Sequence, residues 1–174
     1  MRLFIAINFN EDVIEDLVRL QAEFKRCRVA GNFTKPENLH LTLVFIGEYG
    51  NPDDILDVME TVPFHPVPLK FDGLQHFRDM YFAGIGHTPE LESYVRRLRR
   101  ALSGNGIPFD RKKFSPHVTL IRKVSFRDGA PEEVPKNIHV RETVATEVSL
   151  MRSERGKRGM IYTEIGGIHG DGKH

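Results

Sequence analysis

A chain of 174 residues, 40% hydrophobic and 28% charged, is long enough to bury a sizeable core as one compact domain. Its 25 Lys and Arg against 24 Asp and Glu leave a net charge of +1, which excludes a global basic field of the kind that clamps nucleic-acid duplexes, so any attraction for phosphate is local. The single cysteine, Cys27, excludes an internal disulfide framework and a Cys-based zinc site, and no stretch approaches the ~18 apolar residues of a membrane span. The expectation is a cytoplasmic monomer that contacts no membrane.

Residues 3–8 form a short apolar run, which predicts a strand covered on both faces. Asn10 offers an N-cap, and Val13, Leu17, Leu20 and Phe24 recur at helical spacing, predicting an amphipathic helix over residues 11–27. Residues 28–38 read as a connection. His40-Leu41-Thr42-Leu43 then opens a strand running to about Ile46, where Gly47 stops it. Asn51, Pro52 and Asp53-Asp54 start a second helix that buries Ile55, Val58, Met59 and Val62, and Pro63, Pro66 and Pro68 end it. Val67, Leu69 and Phe71 alternate in a strand expected to end near Gly73.

From Met80 the order begins again. Residues 80–85 predict a strand, Thr88-Pro89-Glu90 a cap, and Leu91, Val95, Leu98 and Leu102 the stripe of a helix. His117-Val118-Thr119-Leu120 opens a strand that ends near Val124, and residues 127–137 read as a charged, proline-containing surface loop. Residues 143–151 and 160–165 are strand-like runs joined by a basic loop at 153–159, and residues 166–174 read as a frayed tail. Phe4, Ile7, Val13, Leu17, Leu20 and Phe24 fall on Phe82, Ile85, Leu91, Val95, Leu98 and Leu102 at a shift of 78, while the two tetrads differ by 77. The chain therefore reads as one domain of two β-α-β halves, about 1–77 and 78–165, in a bilobal α+β fold that brings the tetrads face to face across a cleft.

The tetrads carry the chemistry. This composition predicts roughly 0.03 chance matches to His-x-Thr-Leu, and the chain has two. On a strand each tetrad presents its His and Thr on one face and its apolar partners on the other. Two imidazoles facing one small space can serve as proton acceptor and proton donor at the same pH, which is what in-line displacement at phosphorus requires in the absence of a metal. The Thr hydroxyls can donate to the phosphoryl oxygens where charge builds up. Metal ligation by His40 and His117 is the competing use, but no acidic or thiol residue lies at ligand spacing beside either. A phosphate-binding module without catalysis is the other; it has no need of two proton carriers.

The segments around Asn38-Leu39-His40-Leu41-Thr42-Leu43 and Ser115-Pro116-His117-Val118-Thr119-Leu120-Ile121-Arg122 resemble the 2H phosphoesterase superfamily. So do the opening Met1-Arg2-Leu3-Phe4-Ile5-Ala6-Ile7 and the late Met151-Arg152-Ser153 with Gly159-Met160-Ile161-Tyr162. Within it the chain is most similar to the RNA 2′,3′-cyclic phosphodiesterases, historically called 2′-5′ RNA ligases. That resemblance implies a bilobal α+β fold with antiparallel sheets and cofactor-free hydrolysis of a terminal RNA 2′,3′-cyclic phosphate, or of a small cyclic nucleotide, to a 2′-phosphomonoester. It also admits the 2′-5′ ligation that follows when a 5′-hydroxyl replaces water. It implies that His40 is the proton donor, His117 the proton acceptor, and Thr42, Thr119 and Arg122 phosphate contacts. Strict alternation puts Arg122 opposite His117, so its role requires a bulge or a strand end.

Phe33 stands where related chains often carry Trp, and is expected to pack in the core or line the cleft. Arg111, Lys112 and Lys113, and the loop from Arg155 to Arg158, are candidate RNA backbone contacts, whereas Arg96, Arg97, Arg99 and Arg100 read as a solvated helix face.

Overall fold

The computed structural model describes residues 1–126 and 134–170. In chain order the elements are β1 (Arg2–Asn8), α1 (Glu11–Arg26), β2 (Val29–Phe33), a 3-10 turn (Pro36–Asn38), β3 (His40–Glu48), α2 (Pro52–Glu60), β4 (Val67–Leu69) and β5 (Phe71–Phe77). They continue with β6 (Met80–Ile85), α3 (Pro89–Gly104), β7 (His117–Phe126), β8 (Thr143–Ala145), β9 (Glu147–Gly156) and β10 (Gly159–His169). The helices start where their caps predict. The side chains of Asn10, Asn51 and Thr88 accept hydrogen bonds from the backbone N–H groups of Val13, Asp53 and Leu91, satisfying donors that the first turn leaves open.

Two antiparallel four-stranded sheets carry the molecule, one ordered β10-β9-β1-β3 and the other β2-β7-β6-β5, with β4 and β8 forming a small third pair. Neither large sheet is a contiguous half of the chain. The first takes β9 and β10 from the C-terminal part, and the second takes β2 and β5 from the N-terminal part. The helices bind the lobes further, since α1 lies against β2 and β7 and α3 lies against β3. One continuous core runs under both sheets, from Leu3, Ile5 and Ile7 through Leu41 and Leu43 to Val118, Leu120 and Ile121. Leu41 and Leu43, with their counterparts Val118 and Leu120, thus anchor the strands whose other face carries His and Thr.

Several expectations shift. Residues 29–33 are a strand, not a connection: Gly31 interrupts the apolar pattern because it sits in a bulge at φ +153°, where an added Cβ would meet the Arg122 carbonyl oxygen at 2.8 Å. The strand expected to end near Gly73 splits into β4 and β5 and runs to Phe77, and residues 166–169, expected to fray, complete β10 by pairing with Glu147 to Leu150. The expected surface loop lies outside the described residues over 127–133, as does the end of the tail over 171–174. On α3, Arg97 donates to the Pro63 carbonyl and Arg99 to that of Lys112, so two of the four arginines hold neighbouring segments rather than only facing water.

Asp16 on α1 is buried and clasps the segment before β8. Its Oδ2 accepts from the Arg141 backbone N–H at 3.0 Å and from Nε at 2.8 Å, and its Oδ1 accepts from Arg141 Nη2 and Arg19 Nη1. The Arg141 hydrogen bonds outweigh the opposing effect of burial and hold the carboxyl at about 2, below its ordinary 3.8. Because the folded state binds this proton more weakly than the unfolded chain, its stabilisation is full above pH ~4 and is lost as pH falls toward ~2. Asp16→Asn is expected to cost about 1–2 kcal/mol at pH 7, a figure reduced by the half-exposed position of Arg141, and to flatten the loss of stability between pH 4 and 2 in urea titrations. An unchanged acid profile would show that the clasp contributes nothing.

Candidate active site

His40 opens β3 and His117 opens β7, and the same device holds each ring. The carbonyl two residues earlier, that of Asn38 or of Ser115, lies 2.6 Å from Nδ1. A carbonyl oxygen can only accept, so Nδ1 carries the hydrogen in both rings and Nε2 is left for the space between the lobes. Each ring also rests against an aromatic of the neighbouring strand, Phe4 at 5.0 Å from His40 and Phe82 at 4.3 Å from His117, centroid to centroid. Phe4 and Phe82 are the pair matched by the 78-residue shift. Tyr162 of β10 meets His40 edge-on at 5.3 Å.

All five predicted residues come together. His40, Thr42, His117, Thr119 and Arg122 line one cavity of about 130 Å³, and Thr34, Asn38 and Tyr162 complete its wall. Inside it Thr42 Oγ1 lies 2.8 Å from His40 Nε2, and with Nδ1 protonated the hydroxyl donates to the neutral ring. Among the described residues no group of three or more His, Cys, Asp or Glu side chains is placed to hold a metal ion.

Arg122 reaches the cavity because β7 carries the bulge that strict alternation lacks. Thr119 pairs with Phe82 and Ile121 with Tyr81, leaving Leu120 as an extra residue; Leu120 and Ile121 are both buried, and Arg122 returns to the face of His117 and Thr119. The irregular backbone is fully bonded. Leu120 O accepts from Thr34 N at 2.9 Å and from Gln21 Nε2 at 3.0 Å, Thr119 O accepts from the Thr34 hydroxyl at 2.8 Å, and Gln21 also donates to Thr34 O. Gln21 is a buried amide on the apolar side of α1, a composition signal that marks a partner but does not name it.

Asn38 does more than line the wall. It is buried and donates through Nδ2 to Met160 O, so the residue that orients His40 also ties down the strand of Tyr162. Phe33 packs partly against the core under the Lys25 ammonium, 4.7 Å from its ring, and is absent from the cavity wall. Of the basic segments, Arg111 lies over the Phe109 ring, while Gly159 at the end of the 155–158 loop sits beside Lys35.

The profile of the LigT like phosphoesterase family matches residues 7–83 and 85–162, nearly the whole chain. The chain belongs to this phosphoesterase family. Its relatives include proteins named RNA 2′,3′-cyclic phosphodiesterase. The one from Methanocaldococcus jannaschii is 25% identical over 95% of this chain and 98% of its own length, and that from Thermus thermophilus is 29% identical over 100% and 92%. Among solved structures, a protein of Thermus thermophilus superposes at a TM-score of 0.81 with 26% identity, covering 100% of both chains. Escherichia coli LigT in apo form shares the fold at a TM-score of 0.81 with 22% identity, covering 97% of this chain and 96% of its own.

The electrostatics of this cavity act on His40. Burial is the main force pushing its imidazole below the ordinary value, and the Arg122 and His117 charges add to it against the Asn38 carbonyl. Removing a neighbouring cation favours the imidazolium, so Arg122→Met is expected to raise the His40 midpoint in an NMR titration of its Cε1 proton. A midpoint that does not move would mean that the guanidinium charge is not felt at the ring.

Proposed function

We propose that this chain hydrolyses RNA 2′,3′-cyclic phosphate ends to 2′-phosphomonoesters without a metal ion, acting as a cytoplasmic monomer. The observation that carries this reading is the pair of imidazoles, each fixed at Nδ1 by a backbone carbonyl and each offering Nε2 to one cavity with two Thr hydroxyls and a guanidinium. The names of the relatives point to the same substrate.

The reaction needs one proton removed and one supplied. A water attacks phosphorus as His117 Nε2 takes its proton; the bond from phosphorus to the 3′ oxygen breaks, and His40 delivers a proton to that oxygen, leaving a 3′-hydroxyl and a 2′-phosphate. Thr42, Thr119 and Arg122 hold the non-bridging oxygens, where negative charge grows as the new bond forms. Thr42 is already hydrogen-bonded to His40, so a phosphate oxygen arriving there accepts the hydroxyl's hydrogen bond in place of Nε2 and frees that nitrogen. On this reading the whole chain is one catalytic domain whose halves, about 1–77 and 78–165, each contribute one tetrad.

Incubating the protein with an oligoribonucleotide ending in a 2′,3′-cyclic phosphate, with and without EDTA, tests this directly. The expected product is the 2′-phosphate at an EDTA-independent rate. His40→Ala and His117→Ala should each lower kcat by at least ~10², with the double variant losing less than the product of the two. Turnover that EDTA abolishes and a divalent ion restores, or a near-normal kcat in either single variant, would overturn the mechanism. A 2′-5′ linked product on adding a 5′-hydroxyl strand would mean the same site also ligates.

A further inference from the structure

We propose that the open face of the second sheet is a track for the single-stranded RNA that leads into the cavity, so that the preferred substrate is an oligonucleotide rather than a mononucleotide. This rests on the reading of the cavity as the place of the terminal phosphate. The register defines the track. Thr119, in the cavity wall, pairs with Phe82 of β6, and Phe82 pairs with Gln75 of β5, so the three side chains share one face of the sheet. Two residues along β6, about 6.7 Å on, Met80 pairs with Phe77 on that same face.

These side chains are those a single strand uses. Phe82 lies against the His117 ring, Gln75 is an exposed carboxamide suited to a base edge, and Phe77 is 52% exposed at the tip of the hairpin. Bases stack on exposed aromatic faces with little regard to sequence. Cations stand at both ends. Arg122 lines the cavity, and the Arg78 guanidinium lies over the Phe77 ring at 5.2 Å, where it can meet a backbone phosphate or extend a stack. The other lobe offers no such exit. On the first sheet the equivalent face is filled by Phe4, Ala6 and Met151, packed with Phe45 and Tyr162 into an apolar cluster of their own.

The test compares a nucleoside 2′,3′-cyclic phosphate with oligoribonucleotides of two, three and six residues carrying the same end. In the unaltered protein kcat/KM should rise about tenfold or more between one and three nucleotides, mainly through KM. Phe77→Ala should remove most of that rise, and Arg78→Asn, which tolerates the positive φ of that position, should weaken it and flatten its salt dependence. A kcat/KM independent of length, or a Phe77→Ala loss equally large on the cyclic mononucleotide, would overturn the track. Binding of a fluorescent hexanucleotide bearing a 2′-phosphate, read by anisotropy, separates this proposal from the catalytic one. Affinity lowered about tenfold in Phe77→Ala supports the track even if no cyclic ester is turned over, and equal affinities overturn it even if hydrolysis proceeds.

Discussion

One extra residue at the end of each tetrad organises the site. On β3, Thr42 pairs with Ala6 and Val44 with Ile5, so Leu43 is surplus; on β7, Leu120 is surplus in the same way. A strand of strict alternation would send the residue five places after each His into the core. The bulge instead turns it back to the cleft, at the price of backbone groups the ladder no longer pairs. On β7 those groups are satisfied by Thr34 and Gln21, which gives a buried amide on a helix and an ordinary Thr at the end of β2 a share in where Arg122 stands.

The two halves use the same bulge for different ends. Position five after His117 is Arg122, in the cavity; position five after His40 is Phe45, in the small cluster with Phe4 and Tyr162. Near-symmetric backbones therefore hold an asymmetric site, with one cation, one His covered by Tyr162, and one Thr already bonded to a ring nitrogen. Asymmetry is what a displacement needs, because its attacking and leaving oxygens require opposite proton transfers. The exchange of strands between halves supports this geometry by fixing the lobes to one another through β2, β5, β9 and β10.

Much of this was legible in the residues themselves. The three caps, the helix stripes and the tetrads depend on near neighbours in sequence, and each is where local chemistry puts it. What was not legible depends on distant partners. Val29–Phe33 is a strand only because β7 lies beside it, and Gly31, which reads as a breaker, is the residue that lets the Arg122 backbone come close. Gly166 and Gly167 likewise read as fraying, yet they pair with Leu150 and Ser149. Asn38 and Thr34 sat in a stretch read as mere connection, although both line the cavity.

On the proposed mechanism, the lowered affinity of His40 for its proton is at first unsuited to a group that must give one up. Its causes resolve the difficulty. Burial opposes the imidazolium, the Asn38 carbonyl favours it, and the Arg122 charge and the neighbouring His117 add to the effect of burial. A phosphate anion bound between Arg122 and the rings would supply the opposite charge at the same place, and it would also accept the hydrogen bond that the Thr42 hydroxyl had been donating to the neutral ring. In that mechanism proton uptake at His40 would be linked to arrival of the anion, so that the ring would be an acid when there is a leaving oxygen to protonate. The proton would then sit in a desolvated pocket, where its transfer to the departing alkoxide would relieve the unfavourable burial of charge that binding created.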